Sequence, residues 1–404
     1  MRALEEAMRL DRNQLIMSDY IPFVYSPRDW AVARSLYPDS VFCRIALQSV
    51  PSNLSPDLKL WVDTGADALD NWPFANNSEY GAYFQQFPEA RQLADSAFHA
   101  RPDKQVAARF VNALLNKAYE QVPRMEWLSI PQLSYVDGTE RNKVNRSLAE
   151  ATFDWRAQRK FKGKLILPII FTNQRQLNNK TQRNGKVALA VSCLTASGGD
   201  GVWVVDSSLN DQAGTGNFEK RFQGIVKLHE ELNAKLRGQT ITVAGPYWAL
   251  NLILWARGLA QFAAIGVGKG FRYYIPGDRL QEGNPRIALS PLRRQRTWSR
   301  ELREWIENAL LKTPKGSAAY TEFSSIVRNF QILNDREQAR MQVARFYRDW
   351  FKRIEESSPE SRALALYQDF SSAYVLGKSL KDLPPPETPR NASRIAKQFM
   401  VSCL

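Results

Sequence analysis

The feature that most constrains this chain is a series of short apolar, β-rich runs between about residues 20 and 275. They are YIPFVYS (20–26), VFCRIALQS (41–49), LKLWVDTG (58–65), MEWLSIPQL (125–133), KLILPIIFT (164–172), VWVVDSS (202–208), TITVAGPYW (240–248) and FAAIGVG (262–268). Several are almost continuously apolar, as strands buried on both faces of a parallel sheet are. Amphipathic helical stretches lie between many of them. The clearest, residues 218–238, spaces Phe222, Ile225, Leu228 and Leu232 along one face and stops at Gly238.

Eight strands alternating with helices predict an α/β fold, a (β/α)8 TIM-like barrel with a C-terminal helical extension. A doubly wound open sheet is the alternative. Two places fit the alternation less well. The first two runs lack a long helix between them, and residues 186–199 read equally as an extra strand or a short helix. The expected organisation is an N-terminal helix over 1–19, the barrel over 20–290, a helical extension over 291–380, and a proline-rich linker with a terminal amphipathic segment over 381–404.

The chain has 404 residues and a formal net charge of +14. That excess points to a polyanionic partner, most simply DNA or RNA. No apolar run approaches the roughly 18 residues a membrane helix needs. The charged N-terminal pattern does not read as a secretory signal. Three scattered cysteines fit a reducing, cytoplasmic setting, and with two unrelated histidines they exclude a recognisable zinc motif. No metal or cofactor is expected. A protein partner would use the C-terminal helices, and self-association stays open.

In such a barrel, chemistry gathers at the C-terminal strand ends. The catalytic candidates are Asp63 and Asp206, each a carboxylate closing an apolar run. Such a group is costly to bury unless it is paired or used. Their structural alternative is an Asx-turn. Thr64, Gln132, Asn173, Gln174, Ser207, Gly245, Tyr247 and Trp248 would line a pocket for a planar polar ligand. Gly266, Gly268 and Lys269 in GVGKG offer backbone N–H groups and a cation to a phosphate, though the segment is neither a P-loop nor a dinucleotide motif. Arg175, Lys180 and Arg183, in a polar loop, and Arg293, Arg294 and Arg296, beside Trp298, would contact a nucleic-acid backbone.

With the strands laid out, residues 20–275 resemble the tRNA-guanine transglycosylase family, barrels that exchange a guanine base in a nucleic acid. LWVDTGAD is similar to the family's Asp-Ser-Gly-Gly strand end, which implies a general acid/base role for Asp63. IIFTNQ falls where the family reads the base with a glutamine, implying Gln174 or Asn173. VWVVDSS falls at its Gly-Gly-Leu strand end. Ala256, Arg257, Gly258, Leu259 and Phe262 resemble its Ala-Arg-Gly-Ile-Asp-Met-Phe-Asp segment. There the family's nucleophilic aspartate is replaced by Ala263, and its zinc cysteines and histidine are absent. The resemblance therefore implies one of two functions. The first is an enzyme acting on a nucleobase or its N-glycosidic bond, with Asp206 as substitute nucleophile. The second is a non-catalytic nucleic-acid-binding or scaffold subunit. An enzyme on a free phosphorylated small molecule is a third reading.

Overall fold

The computed structural model describes residues 18–26, 28–44, 50–66, 68–69, 83–95, 102–135, 139–171, 177–207, 209, 217–236, 240–247, 250–267, 285–384 and 391–403. Eight strands form a closed, all-parallel barrel in sequence order: β1 (Tyr20–Val24), β2 (Ser40–Arg44), β3 (Lys59–Asp63), β4 (Trp127–Ser129), β5 (Lys164–Phe171), β6 (Gly201–Asp206), β7 (Ile241–Ala244) and β8 (Phe262–Gly266). Pairing of Ile21 with Ala264 and Phe23 with Gly266 closes β1 onto β8. The open-sheet alternative is thereby excluded.

The helices between strands are α1 (Asp29–Ser35), α2 (Glu89–Ala94), α3 (Lys104–Gln121), α4 (Thr139–Arg159), α5 (Lys180–Ser197), α6 (Asn217–Leu236) and α7 (Leu250–Ala256). Only the short α1 separates the first two strands, and no helix separates β2 from β3 among the described residues. The ambiguous stretch 186–199 is helical. Asn179 caps α5 by accepting from the Thr181 and Gln182 amides, and Gly198, at φ 61°, ends it in the left-handed region.

Strand alternation sorts the apolar residues into two layers. Ile21, Phe23, Phe42, Trp61, Trp127, Ile166, Ile170, Trp203, Val205, Val243 and Ala264 fill the barrel. Trp61 stacks on Trp127 at 4.6 Å, and Phe42 meets Trp203 at 4.3 Å. The intervening residues, among them Val62, Leu128, Leu167, Val202, Val204 and Ala263, belong to the core between barrel and helices. A barrel plugged by tryptophans from three strands is a packed core and not a pore.

The extension does not start as a helix. Residues read as the start of its first helix form a hairpin of β9 (Arg286–Leu289) and β10 (Arg294–Thr297), joined by a turn in which Arg293 takes φ 50°. Helix begins only at α8 (Arg300–Lys312), capped by Ser299. It is followed by α9 (Ala318–Arg328), α10 (Arg336–Glu355), α11 (Arg362–Ser379) and the terminal α12 (Arg394–Ser402). The hairpin, α8 and α9 build a small core of their own around Ile287, Trp298, Ile306 and Phe323. One face of α10, α11 and α12 joins the barrel's outer core, where Phe351 meets Trp255 of α7 at 4.2 Å.

Candidate active site at the barrel rim

β2, β3 and β4 end in a polar layer above the aromatic plug. Arg44 and Asp63 lie two residues beyond Phe42 and Trp61, so both share their inward parity. The Arg44 Nε donates to the Asp63 Oδ2 at 2.8 Å, with both side chains at 4% exposure or less. The Gly65 amide donates to Oδ1 at 2.9 Å, and the Ser129 hydroxyl stands 3.4 Å from the same oxygen. Ser129 in turn accepts from the Thr64 amide at 2.8 Å and lies 3.1 Å from the Thr64 hydroxyl. The Arg44 guanidinium also sits 5.0 Å over the Tyr25 ring.

The result is a fixed carboxylate joined to two hydroxyls, a layout able to hold and pass a proton. Arg44 is the residue that sequence reasoning missed. Its signal was an arginine inside VFCRIAL, two places after an inward phenylalanine.

Asp206 occupies the other parity. Trp203 and Val205 face the barrel interior, whereas Val202 and Val204 face the helices. Asp206, the last residue of β6, alternates with Val205 and so falls on the helix side. Its neighbour there is Tyr247. Burial pushes the Tyr247 hydroxyl well above its usual pKa, and the Asp206 charge adds to the effect. Tyr247 is fully buried and donates to the Val204 carbonyl, which makes it a bracing residue and not a platform for a ligand. The paired arrangement of Asp63 and Asp206 expected from sequence is therefore not what alternation produces.

Several other sequence candidates serve the scaffold. The Gln132 amide donates to the Pro131 and Asn145 carbonyls at 2.8 and 3.0 Å and accepts from the Tyr135 hydroxyl. Ser207 donates from its amide and its hydroxyl to the Phe171 carbonyl. Gly245, at φ 93° before a cis Pro246, leaves no room for a Cβ, which would lie 2.6 Å from the Ala264 carbonyl oxygen. Gly266 closes β8 against Phe23.

The basic candidates divide by burial. Arg183 is 5% exposed and links α5 to Glu231 of α6 at 2.8 Å and to the Leu177 carbonyl. Arg294 and Arg296 are buried on β10, so neither faces solvent. Lys180 is exposed at the first turn of α5. Arg293 belongs to the extension, far along the chain from the rim residues. Asn173, Gln174, Arg175, Trp248, Gly268 and Lys269 lie outside the described residues.

The segment resembling the transglycosylase nucleophile strand also has a definite place. Ala263 is the second residue of β8, three before its C-terminal end, and faces the helices. An aspartate there would not reach the rim.

Among the described residues no cluster of three or more His, Cys, Asp or Glu is arranged to hold a metal, and no helix is long and apolar enough to cross a membrane. Compared with known proteins, the chain matches no family model and no curated protein sequence.

Proposed function

We propose that the chain is a nucleic-acid-directed enzyme that acts at the C-terminal rim of its barrel on a nucleobase or its N-glycosidic bond. The observation carrying this reading is the Arg44–Asp63–Ser129–Thr64 cluster, an ionisable group buried at a strand end where barrels keep their chemistry. The net charge of +14 supports a polynucleotide as the substrate's carrier. A base presented to this rim must first leave its stack. Water or an incoming free base forms the new bond to the sugar C1′ as the bond to the departing base breaks. Asp63 accepts the proton the incoming group gives up and returns it through Ser129 to the departing base, while Arg44 fixes the carboxylate's orientation. Asp206 takes no part.

The same cluster favours a second reading. Arg44, Gly65 and Ser129, which hold Asp63, all belong to the protein itself, and this suits a barrel kept as a nucleic-acid-binding scaffold without catalysis.

Release or exchange of a labelled base from single-stranded and duplex DNA and RNA separates the two. Under the enzyme reading Asp63→Asn lowers the rate by at least about a hundredfold, with the fold intact by circular dichroism, and Asp206→Asn leaves it within about twofold. Equal rates for Asp63→Asn and wild type would remove the enzyme reading. Steeply salt-dependent polynucleotide binding with no base chemistry would establish the scaffold.

A further inference from the structure

One cavity among the described residues lies away from the rim. It is a groove of about 560 Å³ in the C-terminal extension, walled on one side by α10 and on the other by α9, the β9–β10 turn and the turn at Ile332–Asn334. That volume is ordinary for a small-molecule site. Gln338, Gln342, Arg345, Phe346, Asp349 and Arg353 recur along one face of α10 at helical spacing, so the groove follows the helix for about 22 Å. Glu355, just beyond it, accepts from the Asp19 amide at 3.0 Å where the chain enters β1. This end of the groove thus lies toward the barrel face opposite the rim.

Its chemistry is cationic and aromatic. The Arg293 guanidinium lies 5.5 Å over Trp350 and 6.0 Å over Phe346. A residue in the left-handed region is uncommon unless glycine, and here that backbone carries the arginine that reaches these rings. The acidic groups nearby are already engaged. Glu322 and Asp369 flank Arg293 at 3.7 and 3.6 Å, Asp369 also takes Arg353, and Asp349 pairs with Arg348 at 2.6 Å. Arg345, on the groove wall, makes no ion pair among the described residues. Beside it, half-buried Phe346 and Ile332, 52% exposed, leave an apolar flank.

We propose that this groove binds a nucleoside phosphate, either free or as one nucleotide of a strand. The base lies against Phe346 and Ile332, and the phosphate is taken by Arg345. A cation without a counter-ion among the described residues, beside an apolar wall, is what such a ligand needs, and an inorganic anion would have no use for the wall. The site deepens the nucleic-acid reading but does not depend on chemistry at Asp63.

Titration calorimetry with the four ribonucleoside monophosphates, and fluorescence anisotropy with a labelled ten-nucleotide single strand, test it on the full chain. Arg345→Ala should weaken binding about tenfold, the value of one charge-assisted contact. Arg345→Lys should recover part of the loss, and Asp63→Asn should bind as wild type does. A photo-reactive 8-azido-AMP should label peptides within residues 329–353. Binding by mononucleotides marks a free ligand; binding by the strand alone marks a nucleotide within a polymer. The proposal is overturned if neither probe binds at millimolar concentration, if Arg345→Ala binds unchanged, or if the label lands elsewhere. Loss of base chemistry in Asp63→Asn with groove binding intact, or the reverse, keeps the two sites' fates separate.

Discussion

β3 and β6 both run through apolar residues into a terminal aspartate, and both carry a tryptophan that plugs the barrel. Asp63 follows Trp61 by two residues and Asp206 follows Trp203 by three. That single residue puts Asp63 inside the barrel against Arg44 and puts Asp206 among the helices beside Tyr247. The first half of the rim is consequently a polar, ion-paired layer. The second half, where it is described, is braced by backbone-directed contacts: Tyr247 to the Val204 carbonyl, Trp203 to the Gly245 carbonyl and Asn251 to the Ala264 carbonyl. In a period-two element, the count from a known inward residue decides whether an ionisable group meets ligand space or scaffold.

The contrast breaks most readily at Arg44. Arg44→Met would strand the Asp63 carboxylate in the barrel, and the chain should lose about 3–5 kcal/mol of stability in urea unfolding. Adding Asp63→Leu removes the stranded charge and should recover most of that loss. Failure of the double variant to recover would mean that the pair specifies the rim geometry beyond its charge.

The second half makes a forecast for pH. His229, on α6, is fully buried, and burial pulls its pKa down to about 4, with the Leu259 backbone opposing. The unfolded chain takes up this proton near pH 6.5, and the folded chain only near 4. Stability from this group is therefore complete above pH 6.5 and declines as the pH falls to 4, by about 3 kcal/mol. Buried Asp29 and half-buried Asp19 and Glu355, whose pKa values burial raises, titrate with the opposite sign. The measurement is thus the difference between wild type and His229→Leu across that window. Equal acid sensitivity in both would show that His229 is not held neutral in a dry layer.

Much of this division was legible in the sequence. The alternating runs and intervening amphipathic stretches carried the barrel, because parallel strands buried on both faces have no other way to appear. The parity of Asp63 and Asp206 was also present, once each tryptophan is known to point inward, but a tryptophan in a strand does not announce which side it takes. The β9–β10 hairpin was hidden by its arginines: Arg294 and Arg296 are buried yet read as a solvated helix start. Arg44 was hidden for a related reason, since its partner lies 19 positions away and only the β2–β3 register makes them neighbours.

At Gly245 the second half can be tested without touching any charge. Its φ is 93°, and a methyl group added at its Cα would come within 2.6 Å of the Ala264 carbonyl oxygen, so alanine there is both strained and crowded. Gly245→Ala should cost about 2 kcal/mol or more in thermal or urea unfolding. A neutral result would mean that β7 relaxes at its end, and the bracing described for Trp203 and Tyr247 would be softer than these contacts imply.

The smallest effect, and the sharpest one, belongs to Tyr247. If its hydroxyl only braces β6, Tyr247→Phe loses one hydrogen bond to a carbonyl that still accepts from the Gly245 amide at 3.1 Å. The cost should then be about 1 kcal/mol, with polynucleotide binding and any base chemistry within about twofold of wild type. Should the phenylalanine variant instead keep full stability and lose binding, Tyr247 would be facing ligand after all. Asp206 beside it would return to the rim, and the contrast between the two strand ends would fail at the residue on which it turns.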